Sequence, residues 1–170
     1  MPRKAKPLTT EGETYDCALN LLSFRDHSCK ELRQKLTRRG ANVEQVDSSL
    51  AKLEDYGIIN DERYGQRVYE AWLGKKIYGR QHLVAELHKK GVPQEYISMI
   101  LEQFTDELEQ ARAEMAADQF CRLQKRKIEQ YLQSSDPKEK QRFYAAAARY
   151  MLSRGFSGEY VELIINKVQK

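Results

Sequence analysis

From Tyr15 onward the apolar residues return every three or four positions, with Ala, Glu, Lys and Gln filling many of the places between. That spacing puts the apolar residues on one face of an α-helix, and these residue types lose little on becoming helical. No stretch alternates apolar and polar residues with period two, so no strand is predicted. Three glycines, Gly40, Gly91 and Gly155, punctuate the pattern in the same way. Eight residues before them stand Leu32, Leu83 and Ala147; four before, Leu36, Leu87 and Met151; immediately before, Arg39, Lys90 and Arg154. Six after come Val46, Ile97 and Val161, ten after Leu50, Leu101 and Ile165, and thirteen after Leu53, Phe104 and Val168. The spacings between glycines are 51 and 64 residues, so the third copy of the pattern carries an insertion.

Each copy reads as helix, glycine stop, helix. A glycine can end a helix in the left-handed conformation, and a basic residue just before it suits the negative end of the helix dipole. The following helices have their own start signals: Asn42 with Gln45 three positions on, Val92-Pro93, and Ser157 flanked by Phe156 and Val161. A further helix precedes each pair. The first spans about Tyr15 to Phe24 and is followed by the capping box Ser28-Cys29-Lys30-Glu31. The second opens at Asn60-Asp61-Glu62, and its partner begins near Gly79. The third is a long helix from about Asp106 to Leu132, followed by a start at Asp136-Pro137-Lys138-Glu139.

The predicted fold is all-α, with nine helices in three tandem three-helix units forming an elongated helical-repeat molecule. The units fall at 14–57, 58–104 and 105–170, behind a flexible basic arm at 1–13 whose Pro, Lys, Thr and Gly offer nothing to bury. Charged residues make up 32% of the 170 residues, above the usual quarter, so each unit has a modest core and leans on its neighbours.

The net charge of +4 hides a stronger pattern. Residues 25–39 carry +4, 40–62 carry −5, 71–91 carry +4, 92–118 carry −6 and 122–142 carry +4. In the middle helix of the first unit Cys29, Leu32 and Leu36 share one face; Lys30 and Arg38 point away from it and Arg33 flanks it. In the second unit Leu83 and Leu87 face inward, leaving Arg80 and Lys89 to face out. Stacked units would align these cations into a basic stripe suited to phosphate or to an acidic protein surface. The loop Gly74-Lys75-Lys76-Ile77-Tyr78-Gly79-Arg80 adds two glycines, three basic groups and an aromatic.

Catalytic patterns do not emerge. His27, His82 and His88 are scattered, and there is no H-E-x-x-H, Walker loop, G-x-G-x-x-G or G-x-S-x-G. Glu54-Asp55 and Asp61-Glu62 lie at helix ends, where capping explains them. Cys17, Cys29 and Cys121 form neither a C-x-x-C nor an even set, which fits a reducing compartment; Cys29 reads as a structural thiol. The basic opening lacks an apolar run and does not read as a secretion signal, and no stretch of 18 apolar residues would span a membrane. Tyr64 and Tyr69 have the spacing of core residues.

Four segments, in order, resemble the RecX family of modulators of the RecA recombinase. Arg25-Asp26-His27-Ser28-Cys29-Lys30-Glu31-Leu32 is similar to its R-x-x-S-x-x-E-L, and Leu53 through Tyr64 to its L-x-x-x-G-Y-L-D-D-x-x-F. Gly79 through Val92 is similar to G-x-x-x-I-x-x-E-L-x-x-K-G-I, and Arg154-Gly155-Phe156-Ser157 to the closing R-G-F-S. The resemblance covers about residues 15–168. Asn60 replaces the usual Asp, Gly65 the usual Ala, and Ile58 an aromatic; none of these alters the fold. The resemblance implies a non-enzymatic cytoplasmic regulator of recombination, DNA repair and the SOS response, without cofactor or metal. It implies binding in the groove of the RecA–DNA filament and inhibition of ATP hydrolysis, strand exchange, co-protease activity and filament extension. The expected partner is the RecA filament, with single- or double-stranded DNA as a further candidate, no membrane, and the chain acting as a monomer. The residues expected to meet RecA or DNA are Lys30, Arg33, Arg38, Lys75, Lys76, Arg80, Lys89 and Lys90. A helical DNA-binding module that works without RecA is the alternative.

Overall fold

The structure, a computed structural model, describes residues 7–169. Among them the secondary structure is helical throughout, with no strand. The helices are α1 (Glu11–Phe24), α2 (Cys29–Arg38), α3 (Val43–Asp55), α4 (Asp61–Leu73), α5 (Arg80–Lys89), α6 (Gln94–Glu102), α7 (Asp106–Leu123), α8 (Lys125–Gln133), α9 (Pro137–Ser153) and α10 (Val161–Gln169). A 3-10 turn, Gly158–Tyr160, leads into α10.

Most of the sequence-read start signals work as local chemistry demands. Asn42 and Gln45 close a reciprocal capping box, side chain to backbone in both directions. The Asn60 side chain accepts the Arg63 N–H at 2.7 Å, and that of Asp136 accepts the Lys138 N–H at 2.9 Å with Pro137 in the first turn. Ser28 caps α2 by accepting the Glu31 N–H at 3.2 Å. The Glu31 carboxylate does not close that box; it is taken by Arg25, His27 and Lys35.

Three expectations are corrected. The arm expected at 1–13 lies outside the described residues at positions 1–6, whereas residues 7–13 are tied down. Thr10 caps α1 by accepting the Glu13 N–H, the Leu8 N–H donates to the Arg39 carbonyl at 2.9 Å, and Leu8 packs on the core of α1–α3. The helix expected from Asp106 to Leu132 is two, broken at Gln124 (φ −115°, ψ 30°), which raises the expected nine α-helices to ten among the described residues. The break has a packing cause. Phe120 and Tyr131 both reach the Phe143 ring, at 6.0 and 4.5 Å between centroids. On one straight helix they would stand about 16 Å apart along the axis, too far to share a ring. Ser157 precedes the 3-10 turn without a cap bond to the backbone; its hydroxyl donates to Glu159 instead.

The chain divides into two compact units, residues 1–68 with 87–98, and residues 69–86 with 99–170. In the first, Leu32, Leu36, Val46, Leu50 and Leu53 form a buried core with Cys17, Ala18, Ala41 and Ile59. In the second, Phe120, Phe143, Met151, Phe156, Ile164 and Ile165 do so, with the alanines of α7 and α9 letting the helices approach closely.

One joint is built in each unit from matching residues. In the first, the Ser28 hydroxyl donates to the Lys90 carbonyl at 2.7 Å, and the Cys29 N–H donates to Asp61 at 2.9 Å. In the second, the Gly79 N–H donates to the Arg154 carbonyl at 2.9 Å, and the Arg80 N–H donates to Glu109 at 3.0 Å. Each time, the N-terminus of a middle helix meets a helix-ending glycine and takes a carboxylate from the second helix ahead. Gly91 and Gly155 have φ of +77°, and the space where a Cβ would lie is filled: at Gly91 by Ser28 and Lys30, at Gly155 by the backbone of His82. Glycine therefore both stops the helix and lets the next backbone touch it.

Candidate functional site

The eight sequence-read cations fall into two groups, one in each compact unit. In the first unit Lys30, Arg33 and Arg38 lie along α2, and Lys89 and Lys90 end α5. The joint between Ser28 and Lys90 brings the end of α5 onto the start of α2, so Lys90 and Lys30 become neighbours although sixty residues separate them. Lys30, Arg38, Lys89 and Lys90 form no ion pair among the described residues, and all but the partly covered Lys90 are exposed. Arg33 is exposed but pairs with Asp47 of α3.

In the second unit the loop between α4 and α5 is held from below by Arg112 of α7, which is 4% exposed. Its guanidinium donates to the carbonyls of Tyr78 at 2.9 Å, Leu73 at 3.2 Å and Lys75 at 2.6 Å. It also lies 4.4 Å from the Trp72 ring, and burial lowers its pKa from the ordinary value. Three bonds to one rigid fork fix the loop backbone while the Lys75 and Lys76 side chains remain exposed. Tyr78 lies against the His82 ring at 4.1 Å. Arg80, read from the sequence as facing outward, is half-buried. Its Nε reaches Glu109 at 3.0 Å, Nη2 reaches Asp106 at 2.8 Å, and its guanidinium lies 5.2 Å from the Phe104 ring. Arg33 and Arg80 are thus ion-paired within the chain, whereas the six other cations form no ion pair among the described residues.

Sequence reasoning missed Arg112 and Glu109. Their signal was present: two charges three apart in an alanine-rich helix, with Arg112 the one cation in a segment of net charge −6. Tyr64 and Tyr69 are buried, as core spacing predicted, and so is Trp72 of the same helix.

Cys29 and Glu31 are engaged in structure. The Cys29 thiol donates to Glu54 at 2.9 Å. Burial, then that carboxylate and Asp61, push its pKa far up, so it stays protonated and is a poor nucleophile. Burial raises the Glu31 carboxyl, but hydrogen bonds from Arg25 and His27 outweigh it and bring the pKa down to about 2. Among the described residues no three His, Cys, Asp or Glu side chains stand close enough to hold a metal ion. Nor is any helix there long and apolar enough to cross a membrane. What the surface offers is fixed, exposed positive charge on a regular helical frame.

Comparison with known proteins places this frame. Residues 15–53, which hold α2 and most of α1 and α3, match the family model described as the RecX first three-helix domain. Over 151 residues the chain is 31% identical to the regulatory protein RecX of Vibrio vulnificus, covering 89% of this chain and 90% of that one. Over 87 residues it is 38% identical to the regulatory protein RecX of Pelodictyon phaeoclathratiforme, a match to about half of each chain (51% and 54%). The crystal structure of RecX from Lactobacillus salivarius has the same fold, with a TM-score of 0.70 at 22% identity over 94% of this chain and 96% of that one. With the helical repeat, its glycine joints and a relative matched along nearly its whole length, the chain belongs to the RecX family.

Proposed function

We propose that this chain is a negative modulator of the RecA recombinase. It binds in the groove of the RecA–DNA filament and inhibits ATP hydrolysis, strand exchange, co-protease activity and filament extension. The observation that carries the reading is the near full-length match to a regulatory protein RecX. The free cations fit it: Lys30, Arg38, Lys89 and Lys90 in one unit and Lys75 and Lys76 in the other meet acidic protein surface or DNA phosphate. Arg33 and Arg80 belong to the same surfaces through the carboxylates they hold. Several weak contacts along a repeated chain reinforce one another, which suits a filament, itself a repeat. In this reading the functional division is three three-helix units at 14–57, 58–104 and 105–170, and the protein acts as a cytoplasmic monomer by binding alone.

The test is RecA's single-strand-DNA-dependent ATP hydrolysis, titrated with this protein, beside its binding to the same DNA without RecA. Inhibition well below one molecule per RecA protomer, with weak affinity for naked DNA, is the expected result. Inhibition only at amounts that coat the DNA would replace this reading with that of a RecA-independent DNA-binding module.

A further inference from the structure

Residues 122–142 carry a net charge of +4, and none of them belongs to the surfaces described above. The break at Gln124 gives this charge a shape. Lys127 and Tyr131 are four apart on α8; Arg142, Phe143, Ala146 and Arg149 follow one face of α9. The two faces line an open groove of about 240 Å³. Tyr131 and Phe143, stacked at 4.5 Å and buried, are its apolar floor, and the small Ala146 leaves it open. Lys127, Arg142 and Arg149 are exposed. Glu139, the one carboxylate in the lining, is paired with Arg142, while Lys127 and Arg149 form no ion pair among the described residues.

The size and charge of the groove narrow its ligand. Its volume is below the ~300–1,000 Å³ of sites that enclose a whole small molecule, so it takes one group of a longer chain. Arg142 and Arg149 stand about 10 Å apart along the helix, so they reach different anionic groups of that chain. Guanidinium forks match phosphate oxygens in pairs. Beside the groove, Tyr144 is 38% exposed and meets Tyr131 edge-on at 6.4 Å, so an aromatic ring stands in solvent next to the cations. An exposed ring beside a run of cations suits unpaired bases on a phosphate backbone. An acidic peptide would use the cations and leave the ring without a matching face. We propose that the α8–α9 groove binds single-stranded nucleic acid, with Lys127, Arg142 and Arg149 on phosphates and Tyr144 stacked on a base.

The experiment is fluorescence anisotropy of a labelled oligothymidylate with the full chain, without RecA, from about 50 to 200 mM salt. Each phosphate contact on a single strand contributes about 0.7 to the slope of log affinity against log salt. The variant K127Q/R142Q/R149Q should lower that slope by about 2, so that the unaltered chain loses roughly 20-fold more affinity over this range than the variant does. Tyr144→Ala should weaken binding about tenfold at every salt concentration and leave the slope unchanged. The three cations are exposed and the Tyr131–Phe143 pair is untouched, so the fold should persist, checked by the urea midpoint. If the triple variant does not fold, K127Q alone, with a slope change of about 0.7, and Tyr144→Ala decide the matter. An unchanged slope in the cation variants overturns the proposal. So does equal binding of polyglutamate that depends on the cations and ignores Tyr144, which would assign the groove to an acidic protein.

Discussion

Gly155→Ala tests whether the joint between the end of α9 and the start of α5 holds the second unit together. The methyl group would be placed 2.8 Å from the His82 Cβ and 2.9 Å from its Cα, and closer still to its backbone nitrogen. Backbone cannot swing aside as a side-chain tip can, so the two segments of the joint must separate. Separation breaks the Gly79 N–H bond to the Arg154 carbonyl and the Gln81 N–H bond to the Gly155 carbonyl, at 2.9 and 3.1 Å. Each is worth about 1 kcal/mol. The left-handed backbone, φ +77°, adds about 1–2 kcal/mol for any residue with a Cβ. The expected loss is about 3–4 kcal/mol. Two sister substitutions separate the causes. Gly57 has φ +64° with open space around it, so Gly57→Ala should cost only the backbone part, about 1 kcal/mol. Gly91→Ala meets the Ser28 hydroxyl at 2.6 Å and the Lys30 Cβ at 3.1 Å, softer obstacles, and should cost about 2–3 kcal/mol. Urea unfolding followed by circular dichroism reads all three. If Gly155→Ala costs no more than Gly57→Ala, the joint contributes nothing beyond a helix stop and the reasoning fails.

Arg112→Met keeps the packing volume but removes the fork under the α4–α5 loop. It should cost about 3 kcal/mol and raise amide exchange at residues 74–79 while leaving α1–α3 unchanged; unaltered exchange in the loop would remove Arg112 from its positioning role. Glu31 has a folded pKa of about 2 against an ordinary 4.5, so its contribution is complete above about pH 4.5 and is lost as pH falls toward 2. Glu31→Gln should therefore cost about 2 kcal/mol at pH 7, with the gap closing near pH 2; a pH-independent difference would contradict the ion network. K75Q/K76Q should weaken inhibition of RecA with a stability change under about 0.5 kcal/mol, whereas Arg80→Gln should cost about 2 kcal/mol of stability. Equal stability effects from the two, measured in urea, would show that Arg80 is not an internal anchor.

Much of this molecule is local, and local features are legible in a sequence. Helical periodicity, the caps at Asn42, Asn60 and Asp136, and the glycine stops at positions 40, 91 and 155 depend on residues within a turn of one another. Reading them required only the spacing of apolar residues and the conformational range of glycine. The exposed Lys30 and Lys89 could be named for the same reason: the face of a helix follows from its own sequence. What escaped the sequence was decided by groups far apart along the chain. The break at Gln124 follows from Phe120 and Tyr131 sharing Phe143, and neither segment alone contains that demand. Leu8 became ordered because Arg39 and the α1–α3 core lie beside it. Arg80 changed from a surface cation to an internal one because α7 delivers Glu109 and Asp106 to it, and Arg112 found three carbonyls 34 to 39 residues away. The sequence determined which residues are charged and which face of a helix they occupy. Tertiary structure decided which of those charges are neutralised inside the chain, because an ion pair depends on distance in space and not on separation along the backbone.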